Sequence, residues 1–175
     1  MILHCTQKLA ARLPSSVLIS DPASGDSIRE QGVLASWHAH LLNLDRRQCV
    51  LFCHDATRFV LFLPGLRAPQ FAELGRWHRD LFLAVLEAQG LETSLLARVG
   101  LMLGPLGVDR ETDRSVLGSM REAAQDLEFG ALDRAANVME LDPIATSRWL
   151  NERPVTVHGQ CLWPERAMQE LVRKL

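Results

Sequence analysis

Three apolar runs separated by short polar turns lie between residues 37 and 66. The runs are WHAHLLNL, QCVLFCH and FVLFLPGL, and the turns between them contain Asp45 and Asp55. Aspartate suits the first position of a turn because its carboxylate can accept a backbone N–H two residues on. This spacing predicts a β-meander. The second and third runs do not alternate polar with apolar residues, so we expect those strands to be buried on both faces.

Helical periodicity follows the meander. Pro69 suits a first helical turn, and apolar residues recur at helical spacing from Phe71 to Leu86 until Gly90 ends the pattern. The sequence also predicts a strand in residues 1–5 and a short helix between Thr6 and Pro14. Further helices are predicted over 94–102, 113–129, 131–141, 143–153 and from Pro164 to the end, with a short strand within 106–111.

These elements predict an α+β fold with an antiparallel sheet of four to five strands, a central β-meander and amphipathic helices that cover it. The chain has 175 residues, 47% of them apolar, which supports one domain over 1–175 with one sizeable core. Residues 131–175 are expected to form a helical C-terminal portion. Residues 15–36 are rich in Ser, Asp, Pro and Gly, which predicts a long surface loop.

Composition excludes several classes of partner. Nineteen basic and 21 acidic residues give a net charge of −2, which argues against nucleic acid. The apolar runs are far shorter than the roughly 20 residues of a membrane span. The N-terminus lacks the order of charged and apolar residues that a signal peptide has, and reduced buried cysteines are expected, so we predict a cytoplasmic location. Four tryptophans and the large apolar fraction also fit a homo-oligomer.

Seven of the ten cysteine and histidine residues lie in the first 54 positions, which raises the question of a zinc site. His38 and His40 would share one face of a strand, and so would Cys49 and Cys53. The chain has no C-x-x-C or H-x-x-x-H motif, and buried thiols are common in apolar strands. We therefore expect no metal and no cofactor.

The polar corner after the second run contains candidates for catalysis. Cys53 and His54 are adjacent, so on a strand they point to opposite faces and cannot share a proton. His54 with Asp55 could instead act as an oriented general base. This pair supports an alternative function, a hydrolase of a small substrate or a phosphodiester, with or without zinc. A hairpin tip also commonly contains both residue types for structural reasons.

A second polar cluster lies at the start of the helix predicted from residue 113. Ser115, Ser119 and the free N–H groups of a first helical turn can hold an anion, and Arg114 adds a positive charge. Gly118 costs on the order of 1 kcal/mol relative to alanine within a helix, so a close approach by another group would explain it. The alternative is an ordinary capped helix with a packing glycine.

Several segments in the same order resemble a bacterial family known as domain of unknown function 6933, over residues 1 to about 130. In members of that family asparagine usually stands at the position of His40 and often at that of His54, which counts against obligatory zinc ligands there. The resemblance implies no reaction. The segments are CTQKL (5–9), WHAHLL (37–42), DRRQCVLF (45–52), DAT (55–57) with Phe59, PGL (64–66) and RSVLGSM (114–120).

The meander topology limits which polar residues can meet. Successive turns lie at opposite ends of the sheet, so Arg46 and Arg47 should be far from the corner at residues 55–57. We expect that corner to lie near the helix start. The leading hypothesis is a non-enzymatic cytoplasmic module that binds a partner protein or a small anionic ligand. Its predicted ligand-binding residues are Asp55, Thr57, Arg114, Ser115 and Ser119.

Overall fold

The computed structural model describes residues 1–19 and 32–175. Most of the surface loop predicted over 15–36 therefore lies outside the described residues. Within the described part, a 3-10 turn covers Ser15–Val17, and a single bridge joins Leu18 to Val108.

A five-stranded sheet forms the centre of the fold, in the order β4-β3-β2-β1-β5. The predicted meander is confirmed, because β2, β3 and β4 follow one another in sequence and pair antiparallel. The prediction of a purely antiparallel sheet is wrong, because β1 runs parallel to both β2 and β5. Because Ile2 pairs with Ser36, β2 begins at the end of the sheet where β1 begins, and the number of residues between the two strands permits a parallel neighbour. The strands are β1 (Ile2–Cys5), β2 (Ser36–Leu44), β3 (Arg47–His54), β4 (Val60–Leu63) and β5 (Gly107–Asp109).

The described residues also form seven α-helices and a small β-hairpin. None of these helices is long and apolar enough to cross a bilayer. The helices are α1 (Gln7–Ala10), α2 (Ala68–Ala72), α3 (Leu74–Ala88), α4 (Thr93–Met102), α5 (Arg114–Asp126), α6 (Pro143–Asn151) and α7 (Pro164–Arg173). The hairpin pairs β6 (Val155–Val157) with β7 (Gln160–Leu162).

The helix predicted over 131–141 is not formed. That segment contains short 3-10 turns at Leu132–Arg134 and Val138–Glu140. Between them Ala135 is extended, and the Asn137 side chain accepts the backbone N–H of Met139. Asparagine competes with helix formation in this way because its side chain offers the backbone a local hydrogen bond outside the helix.

Both faces of the sheet are buried, as the apolar runs predict. Along β3, Val50 and Phe52 belong to a cluster that packs under α1, α3, α4 and α7. Cys49, Leu51 and Cys53 point the other way, into a second cluster with residues of α5 and α6. The sheet therefore separates two cores. On the second face, the paired ends of β1, β2 and β5 present polar residues such as His4, Ser36 and Asp109, while Leu42 and Leu44 at the other end of β2 belong to the second cluster.

Helix α6 covers the outer edge of β4. Asn151 is fully buried, its Oδ1 accepts the N–H of Val60 at 2.7 Å, and its Nδ2 donates to the Val60 carbonyl at 2.7 Å. The Ser147 hydroxyl accepts the N–H of Phe62 at 3.0 Å. Edge strands leave unpaired backbone groups, so these two side chains substitute for a sixth strand.

Candidate functional site

The start of α5 is capped by its own side chain. Asp113 Oδ1 accepts the N–H of Ser115 at 2.7 Å and of Val116 at 3.0 Å. The hydrogen bonds from Val116 and Ser115 lower the pKa of the Asp113 carboxyl, and Arg58 and His38 contribute to the same direction. These first-turn N–H groups, which the sequence suggested for anion binding, are therefore occupied by the cap.

The five predicted ligand-binding residues do not form one pocket. Thr57 is buried, and its hydroxyl contacts His54 Nδ1 at 2.9 Å and accepts the N–H of Phe59, so Thr57 shapes the corner. Arg114 is exposed, and none of the hydrogen bonds or ion pairs found among the described residues involves it. The three others, Asp55, Ser115 and Ser119, take part in two distinct polar arrangements described below.

The corner and the helix start are neighbours, as predicted, but the residues that join them are unexpected. His38 Nδ1 lies 2.7 Å from Asp55 Oδ1, and His38 Nε2 accepts the backbone N–H of Asp113 at 2.7 Å. Since Nε2 is an acceptor, Nδ1 carries the proton and donates it to Asp55. His38 therefore links the two segments through its two ring nitrogens. Arg47 lies at the opposite end of β3, in agreement with the meander argument.

His54 has a structural role. Its ring is fully buried, Nδ1 contacts the Thr57 hydroxyl, and Nε2 lies 2.9 Å from the carbonyl oxygen of Val33. Burial lowers the pKa of His54 to about 4, against the opposing effect of the Val33 carbonyl. A buried neutral ring whose two nitrogens both have protein partners is not available to a substrate. The geometry therefore does not favour a general base made of His54 and Asp55.

A cavity of about 270 Å³ lies between α5, α6 and the corner, and we call it the Arg58 cavity. Arg58 is 6% exposed, its Nη2 donates to Ser115 Oγ at 3.1 Å, and its Nε has no acceptor. Among the described residues no carboxylate forms an ion pair with this guanidinium. Arg58 adopts a left-handed backbone conformation (φ 57°), which is uncommon outside glycine and indicates a position fixed by its surroundings. The cavity is lined by Arg58, Val60, Ser119, Glu122, Ala123, Gln125, Asp126, Leu150, Arg153, Pro154, Val155 and Pro164.

Two other charged side chains that line the Arg58 cavity, Arg153 and Asp126, have partners. Arg153 forms an ion pair with Asp126, and its guanidinium also stacks over the Trp149 ring. Ser119 is buried, and its hydroxyl lies 3.5 Å from the Ser115 carbonyl, which is a long and weak hydrogen bond. Arg58 thus remains a buried positive charge, and the Ser119 hydroxyl, which has only this weak hydrogen bond, lines the same cavity.

A second polar cluster lies on the same face of the sheet, where β1, β2 and β5 run side by side. His4 Nδ1 lies 2.7 Å from Asp109 Oδ1, and His4 Nε2 lies 3.0 Å from Ser36 Oγ. The Ser36 hydroxyl donates to Asp55 Oδ2 at 2.6 Å. Burial alone would raise the pKa of Asp55, but hydrogen bonds from His38 and Ser36 outweigh it, and the pKa is lowered. We call His4, Ser36, Asp55 and Asp109 the sheet-edge network.

The described residues contain no cluster of three or more histidine, cysteine or acidic side chains arranged to hold a metal ion. Burial raises the pKa of Cys5 and Cys53 to about 12, and Cys49 is also buried with a raised pKa. The three thiols are protonated at neutral pH, so they are poor ligands and poor nucleophiles.

Thiol reactivity provides a first test of this arrangement. Of the four cysteines, only Cys161 is exposed. We expect the native protein to react rapidly with Ellman's reagent at one thiol and the unfolded protein at four, because only thiolates react and burial suppresses them. Cys161→Ser should remove the rapid phase. A rapid phase that persists in Cys161→Ser would contradict the buried positions of the other three.

Sequence reasoning did not identify Arg58, His4, Ser36 and Asp109 as site residues. One available signal was the alternation of Ser36, His38 and His40, which places three polar side chains on one face of a strand. The partners of that face could not be read from the sequence, because Asp109 lies 105 residues from His4 and joins it through a parallel strand pair. The side chain of Arg58 turns inward because its backbone is left-handed, and no glycine in the sequence signals that conformation.

Comparison with known proteins gives one match. A family model described as domain of unknown function (DUF6933) matches residues 2–167 of the 175-residue chain. This match extends beyond the segments quoted above and confirms the resemblance. No curated protein and no solved structure matches the chain.

Proposed function

Because the chain belongs to the family described as domain of unknown function 6933, a name that assigns no activity, we propose a function from the site itself. We propose that the protein is a non-enzymatic module that binds a small anionic ligand in the Arg58 cavity. The observation that carries this proposal is the buried guanidinium of Arg58, which no carboxylate of the described residues pairs with.

A buried charge without a counterion is costly, because the charge loses its hydration and gains little in return. The positive charge of Arg58 contributes to the lowered pKa of Asp113, but Asp113 Oδ1 is engaged by two backbone N–H groups. An anion in the Arg58 cavity would supply the missing negative charge next to the guanidinium. The Ser119 hydroxyl, held only by a long contact, could turn to donate a second hydrogen bond.

The dimensions and charge of the cavity favour a small ligand. A volume of about 270 Å³ is near the lower end for ligand pockets. Glu122 at the rim and the paired Asp126 add negative charge, which disfavours a polyanion such as nucleic acid. A carboxylate or phosphate group carried by a small molecule fits these conditions better than an extended peptide of a partner protein.

Anion binding can be tested by thermal stability. We expect inorganic phosphate or acetate to raise the melting temperature saturably, since a ligand at 100 times its Kd stabilises by about 2.7 kcal/mol. Arg58→Met should abolish the effect of the anion, because it removes the charge and keeps most of the side-chain volume. Sodium chloride at matched ionic strength controls for general salt effects.

Arg114→Met is the matched control for Arg58→Met, because Arg114 is exposed at the start of the neighbouring helix. This control should respond to the anion as the wild type does, and Arg58→Lys should retain a weakened response. If Arg58→Met is folded by circular dichroism and still responds fully, the proposal is wrong. Absence of any anion response in the wild type would also contradict it.

We do not propose the alternative hydrolase based on His54 and Asp55, because the His54 ring is buried and held at both nitrogens. The cytoplasmic location stays a prediction from the sequence. A homo-oligomer also stays a prediction, and light scattering would measure it.

A further inference from the structure

We propose that the anion in the Arg58 cavity is the carboxylate of a small α-amino acid with an aliphatic side chain. The carboxylate binds Arg58, the ammonium group binds Glu122, and the side chain packs against the apolar wall of the cavity. Arg58, Glu122 and the apolar wall all line the same cavity. This inference rests on the anion binding proposed above and adds the two contacts that determine the class of ligand.

The charged side chains that line the cavity sum to zero. Arg58 and Arg153 are basic, and Glu122 and Asp126 are acidic. Arg153 and Asp126 form an ion pair with each other, which leaves one positive and one negative side chain. Within the part of the chain that the structure describes, none of the ion pairs or side-chain hydrogen bonds involves Glu122. A ligand with one anionic and one cationic group therefore matches both remaining charges.

Helix α5 brings the two recognition groups within one turn of each other. Ser119 and Glu122 are three positions apart, so their Cβ atoms lie about 5 to 6 Å from each other on one face of the helix. Arg58 reaches the same face, because its Nη2 donates to Ser115, one turn before Ser119. The carboxylate and ammonium groups of an α-amino acid are attached to a single carbon. A molecule of this size can therefore contact Arg58 and the Ser119 hydroxyl at one end and Glu122 at the other.

The rest of the cavity wall suits an aliphatic side chain. Half of the lining residues are apolar, and an aliphatic group placed against them loses its contact with water. The volume of about 270 Å³ is small for a ligand site, which favours a single amino acid over a peptide. The apolar lining residues are Val60, Ala123, Leu150, Pro154, Val155 and Pro164.

Glu122 also determines which anions bind poorly. Its carboxylate lies at the rim, where it repels any second negative charge on a ligand. A dianion such as phosphate therefore binds Arg58 against this repulsion, whereas an amino acid places its positive group there. Selectivity comes from both the attraction and the repulsion.

Calorimetric titration with matched small molecules separates the three contacts. Isovalerate is L-valine without its ammonium group, isobutylamine is L-valine without its carboxylate, and glycine lacks the side chain. We expect the wild type to bind L-valine about threefold more tightly than isovalerate, because a solvent-exposed ion pair contributes modestly. Glycine should bind about tenfold more weakly than L-valine, because it buries no aliphatic group. Isobutylamine should show no binding.

Glu122→Gln tests the contact that distinguishes an amino acid from a simple anion. Glutamine keeps the length of the side chain and removes its charge, so the preference for L-valine over isovalerate should disappear. Isovalerate should bind this variant at least as tightly as it binds the wild type, because the repulsion at the rim is gone. Arg58→Met should bind neither molecule.

Glu128→Gln is the matched control for Glu122→Gln. Glu128 is an exposed acid just after α5 that is not among the residues lining the cavity. This control should retain the wild-type preference for L-valine. Circular dichroism establishes that each variant is folded before it is titrated.

The outcomes distinguish this inference from the proposed function on which it rests. If the wild type binds isovalerate as tightly as L-valine, or if the preference for L-valine persists in Glu122→Gln, the inference is wrong. Anion binding at Arg58 would then still be supported by binding of isovalerate that Arg58→Met abolishes. If neither molecule binds the wild type and phosphate does not stabilise it, both the inference and the proposed function are wrong.

Discussion

Replacing His78 by phenylalanine is expected to stabilise the protein by about 2 kcal/mol at neutral pH, because two buried nitrogens without partners each carry a desolvation cost. His78 lies on α3 and is fully buried, and neither ring nitrogen has a hydrogen-bond partner. Its ring packs edge-on against Trp37 and Phe52, with centroid distances of 4.5 and 4.9 Å. Phenylalanine preserves these aromatic contacts, and its slightly larger ring limits the gain.

The difference in stability between His78→Phe and the wild type should become larger at acidic pH. Burial lowers the pKa of His78 from 6.5 to about 3, with smaller contributions from His54 and the N-terminal amino group. Below pH 6.5 the unfolded chain binds a proton at this position that the folded protein does not bind, so stability falls as the pH falls toward 3. Between pH 7 and pH 4 this residue alone should cost the wild type about 3 kcal/mol. His54 acts in the same direction in both proteins.

Urea unfolding at a series of pH values measures both effects. His158→Asn is the control, because His158 is exposed in a left-handed turn that asparagine tolerates. Its stability profile should overlay that of the wild type. If His78→Phe is less stable than the wild type at neutral pH and retains the same acid sensitivity, then His78 has a favourable partner and its assignment as an orphaned buried ring is wrong.

Replacing Asn151 by alanine is expected to destabilise the protein by about 3 kcal/mol, because it leaves buried backbone groups unsatisfied. The Asn151 amide makes three hydrogen bonds of 2.7 Å, two to Val60 and one to the Ser147 carbonyl. Water cannot readily replace the two bonds to Val60, since the residue and the strand are buried between α6 and the sheet. The midpoint of urea unfolding should fall accordingly.

Two variants provide the comparison for Asn151→Ala. Ser147→Ala removes one hydrogen bond to the same strand, from the N–H of Phe62, so we expect a smaller loss of about 1 to 2 kcal/mol. Asn43→Ala on β2 is exposed and should change stability by less than about 0.5 kcal/mol. An Asn151→Ala protein as stable as Asn43→Ala would mean that α6 does not protect the edge of β4.

The local elements were predictable because their signals are local. The turns at Asp45 and Asp55 fixed the meander, and the Asp142-Pro143 pair marked the start of α6, where Asp142 accepts the N–H of Ala145. The parallel placement of β1 between β2 and β5 was not predictable in the same way. Nothing in residues 1–5 specifies a direction relative to strands about 30 and 100 residues away.

The candidate site shows the same difference between features that were predictable from the sequence and features that were not. The prediction that the 55–57 corner lies near the start of α5 is confirmed, because meander topology determines which turns share an end of the sheet. The predicted residue Arg114 is exposed, whereas Arg58, which was not predicted, points inward from a left-handed corner. The sequence also suggested first-turn N–H groups as donors, and the Asp113 cap already uses them.

Anion binding beside Arg58 can be measured at the Nε–H resonance of Arg58 in a ¹⁵N-edited NMR titration, because this group belongs to the buried guanidinium that lines the cavity. We expect a saturable shift of this resonance when inorganic phosphate is added, and no shift when chloride is added at the same ionic strength. A resonance that phosphate leaves unchanged, while exposed arginines such as Arg114 shift, would contradict anion binding in the Arg58 cavity.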